Sequence, residues 1–380
     1  MSKKIKIFKA FHAYQNYLDA FYDKNKSLKK ASFREQRKAL INDGSPWIFS
    51  WSTNNNNENI EIFETVHNCE YLQKAWTSNF KNHEDWQIQI VYEQIKTFQP
   101  NICVLYPPML FSQEKIEKIR SLVKHEIIFG GYDGMNRQNI DLYSDFDFII
   151  TCSDYISKYY IAHGRPTYTL LFGFDEKILP KISQNINFKY DVAFTGSIYP
   201  NIHDGRYELL KELSKKVNLS IRSDFLVNVD YRLLSIKRLK KLIKYKDFSN
   251  YLGLWRIGKN NLGPVYGLDM YQFLRDSKIS INMHGDKINF AANVRMYEIT
   301  GVGSCLLTDW KENIGDLFEP EKEIVTYSYV KEAIDKSKFF LRNENARKKI
   351  ATAGQTRTLK EYTLEKRISK LMNFLTELRS

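Results

Sequence analysis

Apolar residues recur along the chain in two registers, and the alternation between them predicts an architecture. Short runs rich in β-branched and aromatic residues, "KIKIFKAF", "IEIFETV", "NICVLYPP", "EIIFGGYDG", "DFIITCSD" and "TYTLLFGFD", are bounded by Gly, Pro, Asn or Asp and predict strands. Between them lie segments whose apolar positions follow helical spacing. These are "AYQNYLDAFYDKN", "SFREQRKALINDG" with a Ser start and a Gly stop, "DWQIQIVYEQIKTFQP" stopped by Pro100, "SQEKIEKIRSLVKH" with Ser112 as a candidate N-cap, and "YISKYYIAHG" ended by Gly164. "PWIFSW" fits a strand or a buried turn, and "NNNNEN" a polar loop. Strands alternating with amphipathic helices predict a mainly parallel sheet in an α/β layer fold.

The segment "EKILPKISQNINFK" is polar with weak periodicity and reads as a linker, after which a second series begins. "YDVAFTGS", "NLSIRS", "ISINMHG", "SCLLTD" and "EIVTYS" predict strands, "GRYELLKELSKKV" and "YGLDMYQFLRDSK" helices between them, and three helices close the chain. The expected division is a Rossmann-like domain over residues 1–185, a second over 186–360, and a C-terminal helix over 361–380 placed to pack back on the first. Two such halves predict parallel sheets facing across a cleft, and in open α/β sheets ligands sit beyond the carboxyl ends of the strands.

Composition narrows the function classes. At 380 residues with 43% hydrophobic and 14% aromatic content, the chain can build two packed cores. No apolar run approaches the roughly 20 residues that span a bilayer, and "MSKKIKIFKAF" lacks the apolar stretch of a signal peptide, so a cytoplasmic location is expected. Cys69, Cys103, Cys152 and Cys305 show no paired spacing and read as buried reduced thiols. The net charge of +13 implies an anionic partner: a nucleotide phosphate, a lipid headgroup surface or nucleic acid.

Two stretches carry candidate chemistry. In "DVAFTGSIYPNIHDGR" a strand runs into Gly196 and Ser197 before a helix that contains Arg206, an arrangement that can cradle phosphate and equally an ordinary strand-to-helix turn. In "NVRMYEITGVGSCLLTD", Arg295 and Glu298 share a helix face, and Gly301 or Gly303 ends the helix before an apolar strand. That carboxylate can accept two hydrogen bonds from vicinal hydroxyls such as those of ribose, or serve a structural ion pair with Arg295.

From Tyr266 to its end the chain resembles the donor-binding half of group 1 glycosyltransferases, in the branch that includes spore-maturation-type proteins. The resemblance rests on "MYQFLRDSKISINMHG", "NVRMYEITGVGSCLLTD", "LFEPEKEIVTYS" and "ENARKKIATAG", and above all on Arg-x-aromatic-Glu, five residues to Gly, then Leu-Thr-Asp. "DVAFTGSIYPN" resembles the glycine loop that opens the same domain. The resemblance implies a GT-B fold, a UDP- or GDP-sugar donor held by the second domain, no cofactor, no metal, and a glycan, lipid-linked or protein acceptor facing the first. It implies that Glu298 binds the donor ribose, that Gly196 and Ser197 lie against the diphosphate, that Arg295 faces the phosphates or sugar, and that Arg206 and Gly303 belong to the same site. Better-known members carry a second Glu eight positions before the ribose-binding one; here that position is Phe290, and His284 and Asp286 are neighbours that could fill the sugar-side role.

For the acceptor side, Asp133 in "GGYDG" is a candidate general base or a turn aspartate, and His12, just after the first strand, is a second candidate. "SDFDF" contains Asp145 and Asp147 in the spacing of a metal–diphosphate pair, but it precedes a strand instead of following one. "IKRLKKLIKYK" (236–246) reads as a basic amphipathic helix, either packed on its own domain or touching an anionic membrane surface from the cytoplasmic side. Nucleic acid is not expected as a partner, because no recognisable binding module accompanies the charge. The expected function is sugar transfer to an acceptor hydroxyl in bacterial surface-glycan or glycoconjugate synthesis. The alternatives are a GT-B relic that binds nucleotide without transfer, and a basic non-enzymatic nucleic-acid binder.

Overall fold

The computed structural model describes residues 4–45, 48–77, 79–80, 83–134, 137, 139–185, 187–198, 203–225, 248–285 and 289–379. The basic segment 236–246 and Asp286 lie outside them. The chain divides into two units, one made of Met1–Asp175 with Leu364–Ser380, the other of Glu176–Thr363.

The first unit holds a sheet of six strands: β1 (Ile5–Phe11), β2 (Ile60–Val66), β3 (Ile102–Leu105), β4 (Ile128–Asp133), β5 (Phe148–Thr151) and β6 (Thr167–Thr169), in the order β2-β1-β3-β4-β5-β6. Every pairing is parallel. β3 and β5 are buried at every position, as expected of strands covered on both faces. The helix Phe33–Asp43 shows how local chemistry sets an element. Ser32 and Glu35 form a capping box, and Gly44 ends the helix in the left-handed conformation at φ 69°. Gln99 takes the same conformation before Pro100, which cannot continue the helix Trp86–Phe98.

The second unit holds β7 (Tyr190–Thr195), β8 (Leu219–Arg222), β9 (Ser277–Asn282), β10 (Cys305–Asp309) and β11 (Val325–Tyr327), again all parallel, in the order β11-β10-β9-β7-β8. Val192, Phe194, Ile279, Ile281 and Leu307 from the sheet pack with Leu209, Leu210 and Leu213 of the helix Asp204–Leu213 in one apolar core.

Three expectations change. The polar segment after residue 175 is not a loose linker. Glu176–Lys181 forms a 3₁₀ helix, Ile178 and Ile182 are buried, and the Ser183 amide donates to Gln272 Oε1 at 2.7 Å. That hydrogen bond ties the segment to the helix Gly267–Arg275. In the stretch written above as strand or turn, Ser50–Asn54 is a short helix whose Trp51 is buried. A helix at Phe248–Asn260 has no counterpart in the sequence-based reading.

Both sheets have the same doubly wound topology. In each, the first strand lies between the second and the third, so the direction of winding reverses between β1 and β3 and again between β7 and β9. The carboxyl ends of those pairs are where such sheets bind ligands.

Candidate functional site

At the switch point of the second unit, β7 ends at Thr195 and Gly196 follows with φ +152°, a value L side chains rarely adopt. Arg206 spans the two strands. Its Nη1 donates to the carbonyl of Ser197, past β7, at 2.6 Å, and its Nη2 to the carbonyl of Met283, past β9, at 2.8 Å. With two donors on backbone carbonyls, Arg206 braces the loop beside Gly196.

The helix Val294–Gly301 connects β9 to β10 and begins at this same edge. Asn293 caps it, its side chain accepting from the Arg295 amide at 2.9 Å. Glu298, one turn on, is 1% exposed. Tyr271 donates its hydroxyl to Oε1 at 3.3 Å, and Arg295 Nη1 lies 2.6 Å from Oε2. Burial pushes the Glu298 pKa up, and the Arg295 charge and the Tyr271 hydrogen bond pull it back only in part. The Arg295 contact is close but off the hydrogen-bond direction, so among the described residues Oε2 accepts no hydrogen bond. The carboxylate therefore retains acceptor capacity that a diol can use. Arg295 reaches back to Glu298 and to Met270 Sδ instead of standing out toward phosphate.

Gly303 stops the helix, as one reading of its place in the sequence predicts. It stands at the entry of β10, the opposite end of that strand from Asp309, and closes the helix with φ +80° while its amide donates to Thr300 O. A Cβ there would meet the Gln355 side chain at 3.1 Å, so the glycine serves a helix stop.

Beside the switch point, His284 follows β9 and Asp309 ends β10. Asp309 Oδ1 accepts from the His284 amide at 3.0 Å and lies 2.8 Å from His284 Nδ1. Lys311 Nζ is 3.3 Å from Oδ2. Burial pushes the Asp309 carboxyl up, but the hydrogen bonds and charge of His284 with the charge of Lys311 outweigh it and hold the group below the usual carboxylate range. The sequence marked Asp309 only as the end of a strand motif. Its partnership with His284 carries no signal at a separation of 25 positions. Phe290 is buried at 8% exposure and places no carboxylate here.

In the first unit Asp133 is fully buried. Arg137 donates to both its oxygens, from its amide at 3.1 Å and its guanidinium at 3.2 Å, and the Tyr160 hydroxyl donates at 2.8 Å. These contacts make it the anchor of the turn after β4, the turn aspartate that is one of its two readings. The neighbouring Gly130 and Gly131 make room for rings, since a Cβ would lie 2.2 Å from Phe148 and 2.6 Å from Tyr143. Asp147, from the "SDFDF" motif, accepts the Phe129 amide at 2.7 Å just before β5. His12 is exposed at the end of β1, and its ring centroid lies 5.2 Å from that of buried His67, which follows β2. Burial lowers the pKa of His12. For His67, burial first and His12 second lower it to about 4. His67 Nε2 lies 3.2 Å from the Tyr106 carbonyl, past β3, so this cluster sits on the switch point of the first sheet. Four cysteines are buried and unbridged, and among the described residues no group of His, Cys, Asp and Glu is arranged to hold a metal ion. No helix of the described residues is long and apolar enough to cross a membrane.

Comparison with known proteins gives this geometry a context. The chain superimposes on the Anabaena protein Alr3699/HepE, solved in complex with UDP-glucose, with a TM-score of 0.56 over 98% of this chain and 100% of that one at 10% identity. It superimposes on sucrose-phosphate synthase from Thermosynechococcus elongatus with a TM-score of 0.57 over 99% of both chains at 6% identity. The fold is GT-B. A glycosyltransferase from Rickettsia africae aligns with a TM-score of 0.56 over 99% of both chains at 10% identity. In sequence, the family model described as glycosyl transferase-like matches residues 210–373 of this GT-B chain. No curated protein matches the chain.

Proposed function

We propose that the protein is a nucleotide-sugar-dependent glycosyltransferase that passes a sugar from a nucleoside diphosphate to an acceptor hydroxyl. The observation that carries this reading is the buried Glu298 carboxylate, paired with Arg295 and bonded by Tyr271, on a helix that begins at the switch point of a GT-B fold. Glu298 grips the ribose, and Gly196 and Ser197 seat the diphosphate under the brace of Arg206. The fold's relatives supply the donor class: Alr3699/HepE was solved with UDP-glucose. We take a UDP- or GDP-hexose as donor, no bound metal as a requirement, and a glycan, lipid-linked or protein acceptor in bacterial surface-glycan synthesis. The pattern Arg295, Glu298, Gly303, then Leu307-Thr308-Asp309 supports placing the chain in the spore-maturation-type branch. His12 is the candidate to take the acceptor proton, because burial lowers its pKa and so favours the neutral ring, the form that can accept a proton.

The test is a panel of nucleotide-sugars scored for transfer and hydrolysis, with donor affinity measured in parallel. Glu298→Ala is expected to weaken donor binding by about ten- to a hundredfold, the loss of hydrogen bonds to a charged group. A folded variant with unchanged affinity rejects the role of Glu298. Phe290 favours a second reading, a GT-B relic that binds nucleotide without turnover, and binding of UDP or GDP with no transfer from any donor would establish it.

A further inference from the structure

The His284–Asp309 pair is built more completely than a neutral loop requires. Asp309 lies below the usual carboxylate range, so at neutral pH it is an ionised acceptor, and the hydrogen on His284 Nδ1 must point at it. That orients the ring and leaves Nε2 as its only other polar atom. Nε2 is buried, in a residue 3% exposed, and has no hydrogen-bond partner among the described residues. A buried unpaired polar atom costs about 1–3 kcal/mol, a cost that persists most readily where a ligand supplies the partner. The residue before His284 is Met283, whose carbonyl takes the Arg206 brace, so the imidazole stands next to the point where the winding reverses. The Lys311 ammonium on the far oxygen of Asp309 keeps that carboxylate charged.

We propose that His284 is a catalytic residue that meets the donor's diphosphate as an imidazolium, with Nδ1–H on Asp309 and Nε2–H on a phosphate oxygen, so that the two anions on either side of the ring hold both its hydrogens and Asp309 is the positioning residue. The inference rests on the glycosyltransferase reading. In the transfer step the bond from the anomeric carbon to the β-phosphate oxygen breaks and its electron pair stays on that oxygen. The acceptor oxygen forms the new bond to the anomeric carbon and releases its proton to a base or to water. The Nε2–H hydrogen bond shortens onto the leaving oxygen as its negative charge grows, which is differential stabilisation of the transition state. Nε2 has no solvent access in the free chain, so the contact forms with a local rearrangement on binding.

The decisive experiment follows the histidine ring nitrogens of the ¹⁵N-labelled full chain by long-range ¹H–¹⁵N correlation while UDP, GDP or inorganic pyrophosphate is added. His284 is assigned by the loss of its signals in His284→Gln. Nε2 is expected to move to the protonated position with UDP and with pyrophosphate, and Asp309→Asn is expected to weaken that response. In turnover assays both variants are expected to lose about a hundredfold in kcat with donor KM nearly unchanged, the pattern of an interaction made in the transition state. Binding of UDP or GDP with Nε2 unmoved, or a folded His284→Gln with full kcat, overturns this proposal and leaves the glycosyltransferase reading standing. If no nucleotide binds and no donor turns over, the function and this inference fall together.

Discussion

At the scale of single residues, the two histidines at the carboxyl edge of the first sheet report on the acid limit of the fold. His67 is 1% exposed and its pKa falls to about 4, so the folded chain refuses a proton that the unfolded chain binds near the ordinary value of 6.5. Where the unfolded state binds more protons, stability rises with pH. The contribution of His67 is therefore complete above about pH 6.5 and declines as pH falls toward 4, in total by about 3 kcal/mol. His12 adds in the same direction, but its exposure lets water screen the effect. Urea midpoints measured from pH 7 to pH 4 are expected to fall steadily in the native chain. They should fall less in His67→Gln, whose amide can still donate to the Tyr106 carbonyl. Equal slopes for the two proteins would mean that another group dominates the acid transition.

At the scale of elements, close backbone approach decides which glycines matter. A Cβ on Gly354, inside the helix Glu344–Glu361, would lie 2.3 Å from the backbone oxygen of Glu323, an atom that cannot swing aside. Gly354→Ala is expected to destabilise the protein by about 1–3 kcal/mol, the range for overpacking. Gly315, in the short helix Ile314–Leu317, has nothing within 4 Å of the same probe atom. Gly315→Ala should be neutral or raise the melting temperature slightly through the unfolded chain's lost freedom. Thermal melts of the two variants side by side test the contrast. The same element scale shows what the sequence makes legible. The strands of both parallel sheets stand out as apolar runs, and the Ser start and Gly stop of the helix Phe33–Asp43 are legible at its two ends. Gly354 looks like any helix glycine, because what crowds it is a carbonyl 31 positions earlier in the chain. The hydrogen bonds of Arg206 to the carbonyls of Ser197 and Met283 are likewise invisible in the sequence. Contacts to backbone leave no mark on the partner's side-chain type, so sequence patterns show the donor and hide its acceptor.

At the scale of the whole molecule, the chain completes its first unit last. The helix Leu364–Glu377 belongs to the unit of Met1–Asp175, where Ile368, Leu371, Met372 and Leu375 are each 1% exposed or less and share one core with Ile7, Val104, Phe148 and Ile150 of the sheet. Phe374 adds a stacked contact with Tyr168, ring centroids 4.8 Å apart. The helix is strongly two-faced, and its apolar stripe covers one side of the parallel sheet, which needs both faces covered. The first unit therefore cannot close until the second has been synthesised. Removing one side chain from this seam isolates the consequence. Leu371→Ala deletes a fully buried group and is expected to cost about 2–5 kcal/mol, depending on how far the site collapses. Because residue 371 and the Glu298 site lie in different units, the loss should fall on one unit alone. In calorimetry with and without UDP, the nucleotide should raise the transition of the second unit, by mass action on the folded site. Leu371→Ala should lower the other transition and leave the nucleotide-sensitive one in place. A single transition that moves with both perturbations would show that the two units unfold as one cooperative body.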